Sequence, residues 1–96
     1  MRPRNFEEFQ DFLRKEAVFE RFGIRRIGVF GSLARGESDY NDIDLLIEEN
    51  LDFDTYFALK DFLETHLDAK IDLVQRRHAE PVILYYALKD MRYAAA

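Results

Sequence analysis

The chain has 96 residues, of which 48% are hydrophobic and 34% are charged, and its formal net charge is −5. This length predicts one domain over residues 1–96, because a chain of this size can build only one compact core. The acidic balance excludes a surface that grips long DNA or RNA through its phosphates, and the absence of cysteine excludes disulfides and thiolate metal sites. No apolar run is long enough to span a membrane, so we expect a cytoplasmic protein.

The first predicted element is a helix from Asn5 to about Phe22. Its apolar residues recur at the spacing of one helix face. They are Phe6, Phe9, Leu13 and Ala17, flanked by Phe12 and Phe19. Asn5 is a typical N-cap, and Gly23 is a typical residue just beyond a helix end. We therefore expect one amphipathic helix at the start of the chain.

Three strands and two more helices are predicted after it. The segment 24–30 alternates in polarity as a strand does, and a second strand covers about 42–48, with a short turn or helix between the two. A helix over about 53–67 is followed by a third strand at 70–75, and Pro81 opens the last helix. This order predicts the α/β (α+β) class: a small mixed β-sheet of about three strands flanked by helices.

The stretch FGSLARGESDYNDIDLLIE, residues 30–48, contains a glycine-rich turn that is not a P-loop. Gly31, Gly36 and Ser38 have the spacing of that loop, but Glu37 occupies the position of its lysine. A carboxylate at this position would repel the phosphates that the lysine attracts. A nucleotide bound here would therefore need another source of positive charge.

Three aspartates on predicted strands could bind a cation that supplies this positive charge. Asp42 and Asp44 are two residues apart, so their side chains leave the same face of one strand. If the first strand is antiparallel to the second, and the second is parallel to the third, then Asp72 and the turn at Gly31 and Ser32 reach the same edge of the sheet. Carboxylates this close repel one another unless a basic group or a cation lies between them. Hard divalent cations prefer such oxygen ligands.

This grouping is the layout of two-metal phosphoryl transfer. The sequence GSLARGESDYNDIDLL resembles the Gly-Ser and Asp-x-Asp signature of the DNA polymerase β nucleotidyltransferase superfamily. The length of the chain is similar to that of the minimal nucleotidyltransferases, which are often antitoxin partners of HEPN-domain proteins. The resemblance runs from about Ile24 through Asp72, and it implies the polymerase β palm-like fold.

The resemblance also implies a role for each residue of the motif. Asp42 and Asp44 would ligate two Mg²⁺ ions, and Asp72 would complete the catalytic metal site near the acceptor hydroxyl. Gly31 and Ser32 would contact the β- and γ-phosphates of the nucleotide.

Other interpretations of these residues stay open at this point. Arg35 could counter the phosphate charge or form an ion pair at the surface, and Ser32 could belong to an ordinary turn. As purely structural residues, Asp42 could cap a turn and Asp44 could pair with an arginine. An EF-hand is not favoured, because Ile43 stands at a ligand position of that loop.

The segment VILYYAL, residues 82–88, is apolar almost all the way round its helix. A helix without a polar face usually has neighbours on both sides. It is therefore either a surface for a partner or a helix buried more deeply under the first one.

The function expected from these features is a Mg²⁺-dependent nucleotidyltransferase that moves a nucleoside monophosphate from an NTP, with ATP the favoured donor, to a hydroxyl acceptor. The resemblance implies an acceptor such as a tyrosine of a HEPN-type toxin, which would make the protein an antitoxin. The alternative is a non-catalytic antitoxin-like subunit that neutralises its partner by occlusion. The expected partners are the NTP and a HEPN-domain protein or a second copy, with no long nucleic acid and no membrane.

Overall fold

The computed structural model describes all 96 residues and contains a four-stranded mixed sheet. The strands are β1 (Arg26–Phe30), β2 (Asp42–Ile47), β3 (Lys70–Gln75) and β4 (Arg92–Ala95). The α-helices are α1 (Phe6–Lys15), α2 (Val18–Phe22), α3 (Phe53–His66) and α4 (Pro81–Asp90), and a 3₁₀ turn covers Arg76–His78. The strand order is β3-β2-β1-β4, with β2 and β3 parallel and the other neighbours antiparallel. This architecture confirms the predicted fold class.

One hydrophobic cluster joins the apolar face of α1, the apolar face of α3 and the strands. Phe9 and Leu13 of α1 are fully buried in it, as are Leu59 and Leu63 of α3. In β2 the buried Ile43 alternates with partly exposed residues on either side of it. The alternation that anchors β2 in the core therefore turns the other face of its first residues toward solvent.

The predicted first helix is two helices, so the expectation of one helix to Phe22 is wrong. Asn5 caps α1 as expected, with its side chain accepting a hydrogen bond of 2.8 Å from the backbone N–H of Glu8. The chain then breaks at Ala17, which has a left-handed conformation with φ of 54°. After this break α2 begins and buries Val18 and Phe19. Core burial on the far side of Ala17 offsets the strain at this residue.

The C-terminal residues form a fourth strand that the sequence analysis does not include. β4 pairs antiparallel with β1, and Ala94 is fully buried opposite Ile27. Alanine has a weak intrinsic tendency to form strands, so local pattern gives little sign of β4. The open hydrogen-bonding edge of β1 determines it instead.

Helix α4 begins at Pro81, as predicted, and its principal contact in the fold is with β1. Ala87 is its one buried residue. The large apolar side chains that it leaves exposed are Val82, Ile83, Tyr85, Tyr86 and Leu88. Deep burial of this helix, one of the two alternatives above, is therefore wrong.

None of the helices has the length and apolar character needed to cross a bilayer.

Candidate active site

The register of the sheet brings the glycine turn and two of the three aspartates side by side. Asp44 lies opposite Phe30 of β1, the last residue before the turn, and opposite Asp72 of β3. Asp42 is the first residue of β2 and shares the face of Asp44. We call Asp42, Asp44 and Asp72 the carboxylate edge. Both strand directions on which its prediction depended, antiparallel β1–β2 and parallel β2–β3, are confirmed.

Gly31 makes the closest approach to this edge. Its φ of +74° is in the left-handed region, and a Cβ atom built on it would overlap the Asp44 carboxylate. Glycine is therefore required here twice, by its backbone conformation and by the position of the acid. The turn therefore lies directly against the carboxylate edge, with Gly31 in contact with Asp44.

The turn that follows is a compact helical loop. The backbone N–H of Arg35 donates to the carbonyl of Gly31 at 3.1 Å, and that of Glu37 donates to the carbonyl of Ser32 at 3.0 Å. Leu33 and Ala34 point into the core and fix the loop to the domain. The loop is therefore fixed to the core, and the partly buried Ser32 follows Gly31 directly in it.

Arg35 is held by two carboxylates in this structure. It forms ion pairs with Glu37 at 2.8 Å and with Asp90 of α4 at 3.0 Å, and its Nη2 donates to the Ser32 hydroxyl at 3.4 Å. The hydrogen bond from Arg35 also lowers the pKa of Glu37. Glu37, the residue at the lysine position of the apparent P-loop, thus helps to position a cation two residues away.

The carboxylate edge carries crowded negative charge at its centre. The pKa of Asp44 is raised to about 6, first by desolvation and then by repulsion from Asp72 and Asp42 and a hydrogen bond with Asp72, while Arg35 opposes the rise. Each of these causes disfavours the ionised form, except for the arginine, which favours it. A bound cation would act in the same direction as Arg35 and more strongly.

The donor atoms of the edge suit a hard divalent cation, since all of them are carboxylate oxygens. The residues of the structure contain no group of three or more His, Cys, Asp or Glu side chains arranged as a metal site. Asp44 and Asp72 lie at paired positions of β2 and β3, and the charge of Asp72 raises the pKa of Asp44. The chemistry of the donor set and the repulsion at Asp44 fit a cation.

Two contributions to the site lie outside the predicted residues. Asp90 and the cavity-lining residues Val82, Ile83 and Tyr86 of α4 share a cavity of about 420 Å³ with Gly31, Arg35 and Asp44. On the β3 side, Tyr56 has its pKa raised by burial and by the charge of Asp72. Neither group belongs to a recognisable motif, because α3 and α4 reach the site only through the folding of the chain.

A mixed sheet with a glycine–serine turn and aspartates at one edge is the architecture expected of a nucleotidyltransferase. The family described as polymerase beta, nucleotidyltransferase, matches residues 12–93 of this chain. The chain belongs to this family, and the resemblance found in its sequence is confirmed. The protein is accordingly a nucleotidyltransferase.

Individual relatives agree with this assignment. The protein adenylyltransferase MntA of Thermococcus cleftensis is 36% identical over 92 residues, which cover 91% of this chain and 93% of the relative. A toxin–antitoxin crystal structure with AMP-PNP is 28% identical, with a TM-score of 0.65, over 84% of this chain and 70% of that one.

A tri-AMPylated Shewanella oneidensis HEPN toxin in complex with an MNT antitoxin matches with a TM-score of 0.60. The match is 22% identical and covers 88% of this chain and 71% of that one. At this identity the match shows only that the two proteins share a fold.

Proposed function

We propose that this protein transfers AMP from ATP to a hydroxyl group of a protein and that it requires Mg²⁺ to do so. The observation that carries the proposal is the position of Asp44 between Gly31 and Asp72. With the phosphates at the turn and the acceptor at β3, both reactants would meet at one carboxylate. The relative that is named as a protein adenylyltransferase supports AMP as the transferred group.

The glycine turn would bind the triphosphate. Backbone N–H groups at Gly31 and Ser32 and the Ser32 hydroxyl would donate to the β- and γ-phosphates. Arg35 would exchange one of its carboxylate partners for a phosphate oxygen, since both of its ion pairs are at the surface, where such pairs are weak. The turn therefore supplies hydrogen-bond donors for the phosphates. Its net charge changes little when Arg35 exchanges one partner for another.

The reaction itself is a displacement at the α-phosphorus. The acceptor oxygen forms a bond to this atom, the bond to the oxygen that bridges to the β-phosphate breaks, and pyrophosphate leaves. The hydroxyl proton passes to solvent, to which Asp72 is exposed. Asp72 lies on β3, the edge strand, where a large acceptor has room to approach.

Asp42, Asp44 and Asp72 would hold two Mg²⁺ ions. When bound, the metal offsets the charge of the triphosphate and lowers the pKa of the acceptor hydroxyl. Of the three carboxylates, Asp44 is the member shared by the donor side and the acceptor side. Its raised pKa reflects the crowding that a cation would relieve.

We further propose that the acceptor is a tyrosine of a HEPN-type toxin, so that the protein acts as an antitoxin. The support is the similarity in fold to the MNT antitoxin that is complexed with an AMPylated HEPN toxin. The exposed apolar side chains of α4 provide a surface for such a partner.

The test uses ATP labelled at either the α- or the γ-phosphate, with Mg²⁺ and the product of the adjacent gene. The α-label should enter the partner and the γ-label should not, because pyrophosphate leaves. Transfer of the γ-label would contradict the proposal in favour of a kinase. Neutralisation of the partner with no label transferred would favour the non-catalytic binding subunit.

A further inference from the structure

The cavity between the carboxylate edge and α4 has two chemically different walls. One side consists of Phe30, Gly31, Arg35 and Asp44. On the other side Val82, Ile83 and Tyr86 form an apolar surface, which we call the α4 wall, and Lys89 and Asp90 lie beyond it at the end of the helix. Its volume of about 420 Å³ lies within the range of small-molecule sites, roughly 300–1,000 Å³. A ligand that contacts the α4 wall therefore lies next to Gly31, Arg35 and Asp44, the residues proposed to bind the triphosphate and the metal.

The cavity lies on the donor side of the site. It includes the turn after β1, but its lining contains neither Asp72 nor any other residue of β3. β1 and β3 flank β2 on opposite sides in the sheet. This inference rests on the proposed function, in which the triphosphate binds at the turn and the acceptor approaches at β3. The occupant of the cavity is then part of the donor nucleotide.

Lys89 and Asp90 also line the cavity from the end of α4, but the α4 wall itself does not suit the phosphates, because its side chains at positions 82, 83 and 86 are apolar or aromatic. It does suit the flat face of a nucleobase, which stacks on aromatic side chains. Tyr86 is 62% exposed, so its ring is accessible to a ligand. The ring also has a cation near it, since Lys89 Nζ is 5.3 Å from its centroid.

We propose that the α4 wall is the base subsite of the donor nucleotide, with the base stacked on Tyr86 and in contact with Val82 and Ile83. The phosphates extend from there to Gly31 and Arg35 on the opposite wall.

The neighbouring tyrosine provides a matched control. Tyr85 is 58% exposed, nearly as much as Tyr86, and the two ring centroids are 5.2 Å apart. Tyr85 does not line the cavity. Substitutions at the two positions therefore remove similar exposed rings from the same helix, but only one of them faces the proposed subsite.

The experiment measures binding of Mg²⁺–ATP and of Mg²⁺–tripolyphosphate by calorimetry, for the whole protein without a partner. Tyr86→Ala should weaken ATP binding by about 5- to 150-fold, the range that loss of one stacked base represents. Binding of tripolyphosphate, which has no base, should be unchanged. Tyr86→Phe should bind ATP like wild type, since it retains the ring, and Tyr85→Ala should do the same.

Two results would overturn the subsite. Tyr86→Ala could bind ATP as wild type does, or it could lose ATP and tripolyphosphate to the same extent; circular dichroism and thermal unfolding would establish that the variant is folded. In the first case the proposed transferase function would stand without this subsite. If wild type bound neither compound, the subsite and the proposed function would fail together.

Discussion

The glycine at position 31 provides the space in which the Asp44 carboxylate lies. A Cβ atom on Gly31 would overlap Asp44 Oδ2, and the backbone there has a φ of +74°. Gly36, at the other end of the same loop, also has a positive φ, +83°, but an added Cβ would meet nothing within 4 Å. The two glycines thus separate the effect of backbone strain from the effect of crowding at the carboxylate edge.

Gly31→Ala should abolish most transfer, whereas Gly36→Ala should not. Both variants should lose about 1–2 kcal/mol in the free energy of unfolding, because both place an L-residue in the left-handed region. Displacement of Asp44 by the new methyl group should cost Gly31→Ala about 10²-fold in rate in addition. Urea unfolding and transfer assays on the two variants would check this. Equal activity in both would remove the proposed link between turn and acid.

Asp42→Asn and Asp44→Asn should each reduce transfer by at least about 100-fold, a larger loss than is typical for residues that only support a metal ligand. The amide keeps the shape of the side chain and removes its charge, so the fold should be retained. Asp39→Asn, an exposed aspartate of the same loop region, is the control and should keep its activity. Activity within a few-fold of wild type in both site variants would exclude the metal-ligand role.

Asp72→Asn should affect the reaction more than it affects nucleotide binding. The proposed role of Asp72 is at the acceptor, on β3, away from the glycine turn. We expect transfer to be lost while the affinity for Mg²⁺–ATP, measured by calorimetry, changes only a few-fold. A parallel loss of transfer and affinity would contradict this division between donor and acceptor sides.

The metal-free protein should become more stable when Asp44 is replaced by asparagine, with the gain largest at high pH. A folded-state pKa of about 6 exceeds the ordinary value of 3.8, so the stabilising contribution of protonated Asp44 is complete below 3.8 and is lost as the pH rises through 6. At pH 8 the gain in Asp44→Asn should be about 1 kcal/mol, after allowance for solvent screening. This corresponds to a rise in Tm of roughly 4–8 °C.

Thermal unfolding with EDTA at pH 8 and at pH 5 would measure this gain, which should be smaller at pH 5. Added Mg²⁺ should raise the Tm of the wild type more than that of Asp44→Asn, because the charge that is unfavourable in the metal-free protein is the one proposed to bind the metal. A gain that is independent of pH would show that charge at Asp44 is not its cause.

The outer side of α4 should form an interface with a HEPN-type partner or with a second copy. Tyr85 and Leu88 are exposed and lie outside the cavity, and a tyrosine suits an interface that is apolar in its centre and polar at its rim. Tyr85→Glu should abolish association, measured by light scattering, and Tyr85→Phe should preserve it. A wild-type protein that stays monomeric at high concentration and binds no neighbouring gene product would refute the interface.

Several features of the fold and site follow from the sequence because they depend on neighbouring residues. The N-cap at Asn5, the start of α4 at Pro81 and the alternation around Ile43 are local patterns with local causes. The relation of Asp44 to Asp72 could also be predicted, because a helical crossover makes the strands on either side of it parallel. Together these patterns predict the position of the carboxylate edge, and the resemblance of the Gly-Ser and Asp-x-Asp motif predicts the family.

The tertiary structure determines the features that depend on residues far apart in the chain. The left-handed break at Ala17 is tolerated because Val18 and Phe19 reach the core beyond it, and β4 forms because β1 has a free edge. The ion pair of Arg35 with Asp90 joins residues 55 positions apart. Propensity and periodicity describe a residue by its neighbours along the chain. The packing of α4 beside β1, and with it the second wall of the cavity at the candidate active site, depends instead on which surfaces remain uncovered once the rest of the domain has folded.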